Sequence, residues 1–478
     1  MMNLKETAIR GLKWSSASRF GQQLLQFITL ALLARLLAPE DFGLMASAMV
    51  IIGFINVFRD LGISAALIQK KEISDELFSS VFWLNLCAGG LLMIMLIILS
   101  SFIANFFNAE ALVTILKVLS ISFLFSGLSV VHQALLEKEL KFKSIAKYEL
   151  SATLIATVTS ITMALMNFGV WSLVVQNLIF TFTVSLLFWI NSSHKPRFLF
   201  KWVEIKSIAN FSSNLAGFNI LNYFVRNGDY ILIQKFLGEQ QLGYYTLAYR
   251  LMLYPLKNIS VVVTRVMFPV LSKIQDDNEK FRQAYLKVVN SIALLSFPLM
   301  LGLVAVSDNF VNVIFGAKWE PVITLIFILA PLGLLQSIYS PAGVIFQTKG
   351  RTDWWFRWGL LTGVLFIAAF WIGLKWGIIG VASAYLIASL ITIYPGLAIP
   401  FKLINLKVSI FIMSFNRTFL ISVLMFAIVL VINYTLNIYL DTTVSLLISI
   451  ILGILIYIGF SFKLNKDKIK YVVESIRN

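Results

Sequence analysis

Charged side chains inside long apolar stretches are the residues of this sequence that could do chemistry. Arg226 and Asp229 lie three residues apart within "NYFVRNGDYILIQKFLG", which is otherwise mostly apolar. An ionisable group at membrane depth is costly, so it usually faces a cavity or a charged partner. Residues three apart share one face of a helix. The spacing therefore predicts either a pair that is neutralised within the protein or a polar route for an anionic group.

The composition identifies the medium that surrounds these charges. Of the 478 residues, 59% are hydrophobic and 13% are charged, and the mean hydropathy is +0.86. Soluble domains carry about 25% charged residues, and apolar runs of about 20 residues span a bilayer as helices. The sequence therefore predicts an all-α polytopic membrane protein. We predict about fourteen spans, near residues 14–38, 44–68, 77–105, 111–136, 150–168, 170–191, 208–236, 242–271, 284–306, 321–347, 355–375, 378–400, 410–433 and 443–462.

The basic residues predict how these spans are oriented. With the N-terminus inside and the spans alternating, the inside segments hold 27 Lys and Arg residues. The outside segments hold only four, which are Arg35, Lys235, Lys318 and Lys375. Because cytoplasmic loops carry the excess of Lys and Arg, both termini are predicted to be cytoplasmic. The protein itself is expected in the inner (cytoplasmic) membrane. The same bias explains most of the net charge of +16 without a nucleic-acid partner.

A first sequence match indicates an internal repeat. "ARLLAPEDFGLM" at 34–45 is similar to "QKFLGEQQLGYY" at 234–245, and an offset of 200 residues aligns Gly43 with Gly243. Both segments follow the first span of a six-span set. The match therefore predicts that the chain after about residue 200 repeats the unit before it.

A second match lies at the other end of the predicted unit. "NFGVWSL" at 167–173 is similar to "IIGVASA" at 378–384, and an offset of 211 aligns Gly169 with Gly380. Parallel repeats are one transporter design, with the substrate held between the halves. We predict a lobe of spans 1–6, a second lobe of spans 7–12, and a segment with spans 13–14 and a cytoplasmic tail, at residues 1–200, 201–405 and 406–478.

Further cations lie in the two leading spans of each predicted lobe. These cations are Arg19, Arg59, Arg226, Arg250, Lys257 and Arg265. Leading helices of two repeats can border one cavity, and the planar fork of arginine suits phosphate oxygens. We therefore predict a cationic cavity for an anionic group. Its predicted substrate-binding residues are Arg19, Arg226, Arg250, Arg59 and Arg265. Two acidic residues are predicted to orient these arginines or to couple transport to ions, namely Asp229 and Asp60.

Structural roles remain open for several of these charges. Arg59 directly precedes Asp60 and can pair with it near the cytoplasmic face. Arg265 can extend its charge to the interface while its stem stays in the bilayer. The Arg226–Asp229 pair can serve only to cancel charge between helices. Arg19 has no acidic residue within its own span, which favours a role in the cavity.

The longer segments around these residues resemble a known family. "LLARLLAPEDFGLMASAMVIIGFINVFRDLGISAALIQKKEIS" looks like polysaccharide exporters of the multidrug/oligosaccharidyl-lipid/polysaccharide superfamily. "NYFVRNGDYILIQKFLGEQQLGYYTLAYRLMLYPLKNISVVVTRVMFPVLSKIQDD" is similar to the colanic-acid-exporter-like branch of Wzx-type flippases. The resemblance covers nearly the whole chain. It implies a V-shaped pair of six-helix lobes that alternate access, and a lipid-linked oligosaccharide substrate.

The resemblance also implies which lipid is transported and for what purpose. The expected substrate is an oligosaccharide on undecaprenyl pyrophosphate, moved to the outer leaflet for O-antigen, capsule or exopolysaccharide synthesis. Membrane lipids contact the protein, and a polysaccharide polymerase and chain-length machinery are possible partners. The lipid tail is expected to leave between spans 1 and 8 or between spans 2 and 7.

Three other function classes stay open at this point. A multidrug/cation antiporter of the same superfamily would need buried carboxylates, whereas arginine predominates in the leading spans. A membrane glycosyltransferase or polymerase would need an acidic site or a large external loop, and neither is evident in the sequence. A structural scaffold in a polysaccharide assembly complex is weakly disfavoured by the charges that the spans retain.

The sequence offers no pattern for covalent chemistry. It contains one cysteine, Cys87, and two histidines, His132 and His194, which are far apart along the chain. These residues are too few for a typical zinc site. A Gly-rich phosphate loop followed by Lys and Ser or Thr is also absent from the sequence. We therefore predict no catalytic residue, no metal and no cofactor, and a transporter rather than an enzyme.

Overall fold

The computed structural model describes residues 21–59, 67, 74–192, 194–203, 213–255, 261–466 and 468. This part of the chain is helical and contains no strand. The helices are α1 (21–36), α2 (Pro39–Arg59), α3 (Asp75–Phe107), α4 (Leu112–Leu119), α5 (Ile121–Lys138), α6 (Phe142–Leu165), α7 (Trp171–Asn191), α8 (Ser213–Pro255), α9 (Val261–Lys273), α10 (Asn278–Ala305), α11 (Ser307–Ile314), α12 (Pro321–Tyr339), α13 (Ala342–Thr348), α14 (Thr352–Gly373), α15 (Gly377–Lys402), α16 (Val408–Tyr439) and α17 (Thr442–Leu464).

Ten helical stretches in the described residues are long and apolar enough to cross a membrane. They are Pro39–Val57, Asp75–Phe107, Leu112–Lys138, Phe142–Leu165, Trp171–Asn191, Asn278–Ala305, Pro321–Thr348, Thr352–Lys402, Val408–Tyr439 and Thr442–Leu464. Helices satisfy all backbone hydrogen bonds internally, which is why apolar runs in a bilayer adopt them. The chain is therefore an all-α, multi-pass membrane protein, as predicted. The total of fourteen spans stays a prediction, because predicted spans 1, 2, 7 and 8 extend outside the described residues.

Side-chain caps define the ends of two of these helices. The Ser74 hydroxyl accepts a hydrogen bond from the Leu77 N–H at 3.1 Å before α3, and Asp441 accepts one from the Thr443 N–H at 2.9 Å before α17. A polar side chain at this position satisfies an N–H group that has no partner within the helix. α3 ends at Phe107, and the following Asn108 has a φ of 55° that stops the helix.

The chain packs as two compact units, Met1–Gly243 and Tyr244–Asn478. The first unit contains α1 to α7 and most of α8, and the second contains the last residues of α8 and all later helices. The first residues of the second predicted repeat thus pack with the first unit. The predicted lobes were defined by the order of the spans and not by packing, so their boundaries remain a prediction.

α8 consists of two helical segments that meet at Gly238. Gly238 has φ 84° and ψ 177°, a conformation outside the helical region that glycine adopts without a Cβ clash. The break lies between predicted spans 7 and 8. At an offset of 200 residues, Ala38 lies in the turn between α1 and α2. The first sequence match therefore aligns two turns.

The second sequence match aligns residues with different local structures. Gly169 has φ +53° and lies in the turn before α7. Gly380 lies within α15, where it packs against the backbone of Gly373. Gly377, the first residue of α15, has a positive φ of 68°. The repeat layout stays a prediction, and this second match does not define its register.

The two C-terminal helices pack with α10 in the second unit. The Asn290 side chain of α10 donates to the Ser414 hydroxyl of α16 at 3.1 Å, and the Tyr457 hydroxyl of α17 donates to the Leu294 carbonyl at 2.7 Å. At the other end of α16, Asn309 donates to Asn433 at 2.8 Å. Paired amides satisfy polar groups that would otherwise be buried without partners. α16 and α17 are therefore an integral part of this unit.

Lys468, just after α17, gives this attachment a dependence on pH. Its Nζ donates to the Ser414 carbonyl at 2.7 Å and to the Thr418 hydroxyl at 3.2 Å. Burial, and to a smaller extent the charge of Arg417, lowers the pKa of Lys468 from 10.5 to about 8. Between these two values the undocked lysine binds more protons than the docked one. A rise in pH through this window therefore stabilises the docked state.

We expect the melting temperature of the wild type to rise relative to that of Lys468→Met as the pH increases from 7 to about 9.5. Methionine cannot titrate, so the difference between the two proteins follows the lysine proton. Lys466→Met, which changes an exposed neighbour, should show no such pH-dependent difference. A wild type that loses stability relative to Lys468→Met over this range would contradict the assignment.

Candidate functional site

The predicted site residues are described to different extents. Arg19 and Asp60 lie outside the described residues. Arg59 is the last residue of α2 and Arg265 lies in α9, but their side chains are outside the described part. Arg226, Arg250 and Asp229 are described with their side chains. The structure therefore addresses the α8 members of the predicted cavity, and the roles of the others remain predictions.

Arg226 and Asp229 lie on the same helical segment but differ in burial. The Arg226 side chain is exposed, whereas Asp229 is only 2% exposed. One carboxylate oxygen of Asp229 accepts a hydrogen bond from the Tyr230 N–H at 2.9 Å. The guanidinium thus points to the protein surface, while the carboxylate is held within the packing of the first unit.

Arg250 lies beyond the Gly238 break, in the part of α8 that belongs to the second unit. Its side chain is exposed. The adjacent Tyr249 stacks on Tyr245 with a centroid distance of 5.8 Å and on Tyr385 at 6.4 Å. The Tyr385 hydroxyl accepts a hydrogen bond from Gln336 at 3.0 Å. This tyrosine stack fixes the helix turn that carries Arg250.

Two glycines of the repeat bring α2 and α8 into backbone contact. A Cβ on Gly43 would lie 1.8 Å from the Glu239 carbonyl oxygen, and a Cβ on Gly243 would lie 1.9 Å from the Pro39 carbonyl oxygen. Pro39 and Glu239 are equivalent at the offset of 200, as are Gly43 and Gly243, so the two contacts are reciprocal. We call Pro39–Gly43 and Glu239–Gly243 the glycine crossing. Side chains larger than hydrogen cannot occupy either glycine position at this separation.

Polar groups flank the glycine crossing. The Gln240 amide donates to the Glu40 carboxylate at 2.5 Å, and these two residues are also repeat equivalents. Further along, the hydroxyl of Ser47 donates to the side-chain oxygen of Gln234 at 2.7 Å, and this bond is buried. α2 and the first part of α8 are thus joined along one edge by hydrogen bonds as well as by the glycines.

The same two helices remain in contact beyond Gln234. The Tyr223 hydroxyl donates to the Val50 carbonyl at 2.6 Å, and the Tyr223 ring lies 5.9 Å from that of Phe54. Since contacts move towards higher numbers on α8 as they move towards lower numbers on α2, the helices are antiparallel. The sequence left a lateral opening between spans 2 and 7 as one option. Within the described residues, the contacts between these spans run from Tyr223 to Gln234, and the lateral opening stays a prediction for the rest of their length.

The two histidines come together although they are 62 residues apart in sequence. His132 is buried and shares a hydrogen bond of 2.8 Å with the Ser192 hydroxyl. The His132 and His194 rings lie 5.5 and 5.8 Å from the Phe78 ring. Among the described residues, no group of three or more His, Cys, Asp or Glu side chains could hold a metal ion. The cluster therefore packs the ends of α3, α5 and α7.

The sequence family of the chain is shown by a match that covers more than half of it. Residues 32–324 match the family described as "Polysaccharide biosynthesis protein". The chain belongs to this family. The resemblance to polysaccharide exporters that the α2 and α8 segments carry is thereby confirmed.

Two bacterial relatives can be aligned over most of this chain. The teichuronic acid biosynthesis protein TuaB of Bacillus subtilis (strain 168) is 30% identical over 431 residues, which is 89% of each chain. The lipopolysaccharide biosynthesis protein WzxC of Escherichia coli (strain K12) is 32% identical over 397 residues, 82% of this chain and 80% of WzxC. The two alignments therefore cover most of this chain and most of each relative.

A solved structure shows the same fold. The lipid II flippase MurJ in an inward closed conformation superposes with a TM-score of 0.76 over 95% of this chain and 99% of MurJ, at 21% identity. At this identity the likeness establishes the fold alone. The prediction that the chain is not an enzyme agrees with its relatives.

Proposed function

We propose that this protein is a flippase that moves a lipid-linked oligosaccharide from the cytoplasmic to the outer leaflet for surface polysaccharide synthesis. The 32% identity to the lipopolysaccharide biosynthesis protein WzxC over 82% of the chain carries this proposal. The fold shared with MurJ supports it, because MurJ is itself a lipid flippase. The proposal includes a location in the inner membrane and cytoplasmic termini. It also includes a polysaccharide polymerase and chain-length machinery as partners.

The proposed carrier is undecaprenyl pyrophosphate, and its charge sets the physical problem. A pyrophosphate that crosses hydrocarbon must exchange its water for protein groups. Arginine replaces that water well, because its planar fork binds two oxygens at once. The exposed guanidinium groups of Arg226 and Arg250 are proposed to form the cradle with Arg19. Arg59 and Arg265 are proposed to extend it.

Access is proposed to alternate through rocking of one repeat against the other. The glycine crossing supports a seal on the outer side, since the predicted orientation places Arg35 and Lys235 there. A contact made by backbone and by the Glu40–Gln240 hydrogen bond can separate without exposing a large apolar surface. Asp229 and Asp60 are proposed to orient the arginines or to couple the motion to an ion. The test compares Asp229→Asn with the wild type under imposed pH and ion gradients. Transport rates that do not respond to the gradients in either protein would count against coupling.

One observation favours a second function. Asp229 is a buried carboxylate in a predicted leading span, and a multidrug/cation antiporter would use such a group to bind a cation. The predominance of arginine in the leading spans and the identity to WzxC favour the flippase. A drug-export assay in cells that express this chain separates the two functions, because only the antiporter would raise resistance to cationic drugs.

The leaflet in which the lipid-linked oligosaccharide accumulates tests the proposal. In cells that lack the gene and have no second exporter, we expect the intermediate to build up on the cytoplasmic side. Wild-type protein supplied in trans should move it to the outer face. Sidedness can be measured by the access of a membrane-impermeant, glycan-modifying reagent to spheroplasts and to inverted vesicles. An intermediate that reaches the outer face without the gene would exclude the flippase function.

A further inference from the structure

A groove of about 640 Å³ lies between α14 and α15, outside every site discussed so far. Its walls are almost entirely aliphatic. They include Ala368 and Ile372 of α14 and Ser383, Ala384 and Ile391 of α15. The groove carries no charged side chain along its length.

A close glycine contact explains why the groove forms. A Cβ on Gly380 would lie 2.1 Å from the Gly373 carbonyl oxygen, so α14 and α15 touch at this level. Further along, small residues such as Ala368 and Ala384 leave space that larger side chains would fill. The isoleucines at the edges, including exposed Ile391, form the rims. The two helices thus pack tightly at the Gly373–Gly380 end and leave a groove between them away from that end.

The closed end of the groove carries a cation and an aromatic ring. Lys375 lies in the short turn between Gly373 and Trp376, both of which line the groove, and the Lys375 side chain is exposed. Trp376 is 68% exposed. Tryptophan side chains concentrate at the membrane–water interface. Because Lys375 is one of the four predicted outside cations, this end faces the outer leaflet in the proposed orientation, on which the inference therefore rests.

The dimensions of the groove fit one hydrocarbon chain. From Trp376 to Ile391 the groove follows 15 residues of chain, about 22 Å at a helical rise of about 1.5 Å per residue. The volume divided by this length is a cross-section of about 30 Å², so the groove is a long, narrow channel rather than a broad depression. The length exceeds the outer half of a hydrocarbon core about 30 Å thick.

We propose that this groove binds one acyl chain of an anionic phospholipid from the outer leaflet, with the headgroup phosphate at Lys375. The aliphatic walls contact the acyl chain in place of neighbouring lipid tails. The single cation at the predicted outer end selects a negatively charged headgroup. The inference does not depend on the transported substrate, because it concerns a resident lipid on the face of spans 11 and 12.

Photo-crosslinking of the purified full-length protein tests the site. The probe is phosphatidylglycerol with a diazirine in one acyl chain, and phosphatidylcholine with the same chain is the headgroup control. We expect labelled residues on both α14 and α15 within the groove, with at least fivefold more label from phosphatidylglycerol. Lys375→Gln should reduce that preference to less than twofold while the chain still labels the groove.

Two matched substitutions on α14 separate filling of the groove from general damage. Ala368 and Val364 are both exposed and one turn apart, but only Ala368 lines the groove. Ala368→Phe should lower groove labelling at least tenfold, and Val364→Phe should leave it unchanged. Size-exclusion profiles and melting curves confirm that both variants fold.

Three results would overturn the inference. The first is equal labelling of Ala368→Phe and wild type, which would place the lipid elsewhere. The second is a dimer that Ala368→Phe disrupts, which would assign the groove to a second copy. The third is displacement of the probe by polyprenyl phosphate at much lower concentration than by unlabelled phosphatidylglycerol, which would assign the groove to the carrier.

Discussion

Alanine at Gly43 is expected to remove at least nine-tenths of transport activity. Its Cβ would lie 1.8 Å from the carbonyl oxygen of Glu239, which is a backbone atom and cannot rotate away. The helices must therefore separate, and the buried hydrogen bond between Ser47 and Gln234 on the same edge is strained or lost. Overpacking of this kind costs about 1–3 kcal/mol. We expect a lower melting temperature together with the loss of transport.

Gly243→Ala should reproduce this effect, because its Cβ would lie 1.9 Å from the Pro39 carbonyl oxygen. Both substitutions open the same contact, so the double variant should lose less than the sum of the two single losses. The leaflet assay gives transport, and thermal unfolding in detergent gives stability. Additive losses would show that the two glycines act in separate contacts.

Gly90→Ala in α3 is the matched control for both glycines. The nearest atom to its added Cβ is Leu124 Cδ2 at 3.8 Å, an ordinary contact. Alanine is also the better helix former by about 1 kcal/mol, so this variant should keep full activity and equal or higher stability. Normal transport by Gly43→Ala would mean that the glycine crossing is not needed as a tight seal.

The spans were predictable because a bilayer leaves the backbone few options. An apolar run that must satisfy its own N–H and C=O groups forms a helix, and its length follows from bilayer thickness. The segment at 77–105 therefore corresponds to α3, Asp75–Phe107. Charge spacing was less informative. Arg226 and Asp229 have the i, i+3 spacing of a pair, yet one is exposed and the other is buried. Spacing places two residues on one side of a helix, but packing decides what each side chain contacts.

The glycine crossing shows what sequence similarity reveals and what it conceals. The match of Gly43 with Gly243 was visible as a repeat. That each glycine contacts the backbone of the other copy depends on the crossing of two helices 200 residues apart, which no local pattern encodes. The groove between α14 and α15 arises in the same way, since the contact of Gly373 with Gly380 sets how the helices diverge. The proximity of His132 and His194 likewise follows from packing of three helix ends around Phe78.

Alanine in place of Arg226 is expected to reduce transport at least tenfold with little change in stability. The side chain is exposed, so its removal leaves no buried group without a partner. A tenfold loss corresponds to about 1.4 kcal/mol, close to the lower end of the range of about 1.5–3 kcal/mol for a hydrogen bond to a charged group. Arg226→Lys should lie between wild type and alanine, because lysine keeps the charge but lacks the planar fork. The measurement is the leaflet sidedness of the lipid-linked oligosaccharide in complemented cells.

Two comparisons decide whether Arg226 contacts the substrate. Lys402→Ala removes an exposed cation at the end of α15, and we expect full transport from this control. Asp229→Asn changes a buried side chain of the same segment, so it should lower stability as well as transport. If Arg226→Ala clears the cytoplasmic intermediate as wild type does, the flippase function stands and the arginine is structural. If Arg226→Ala fails with an unchanged melting temperature while Lys402→Ala transports normally, the guanidinium acts on the anionic headgroup during transport.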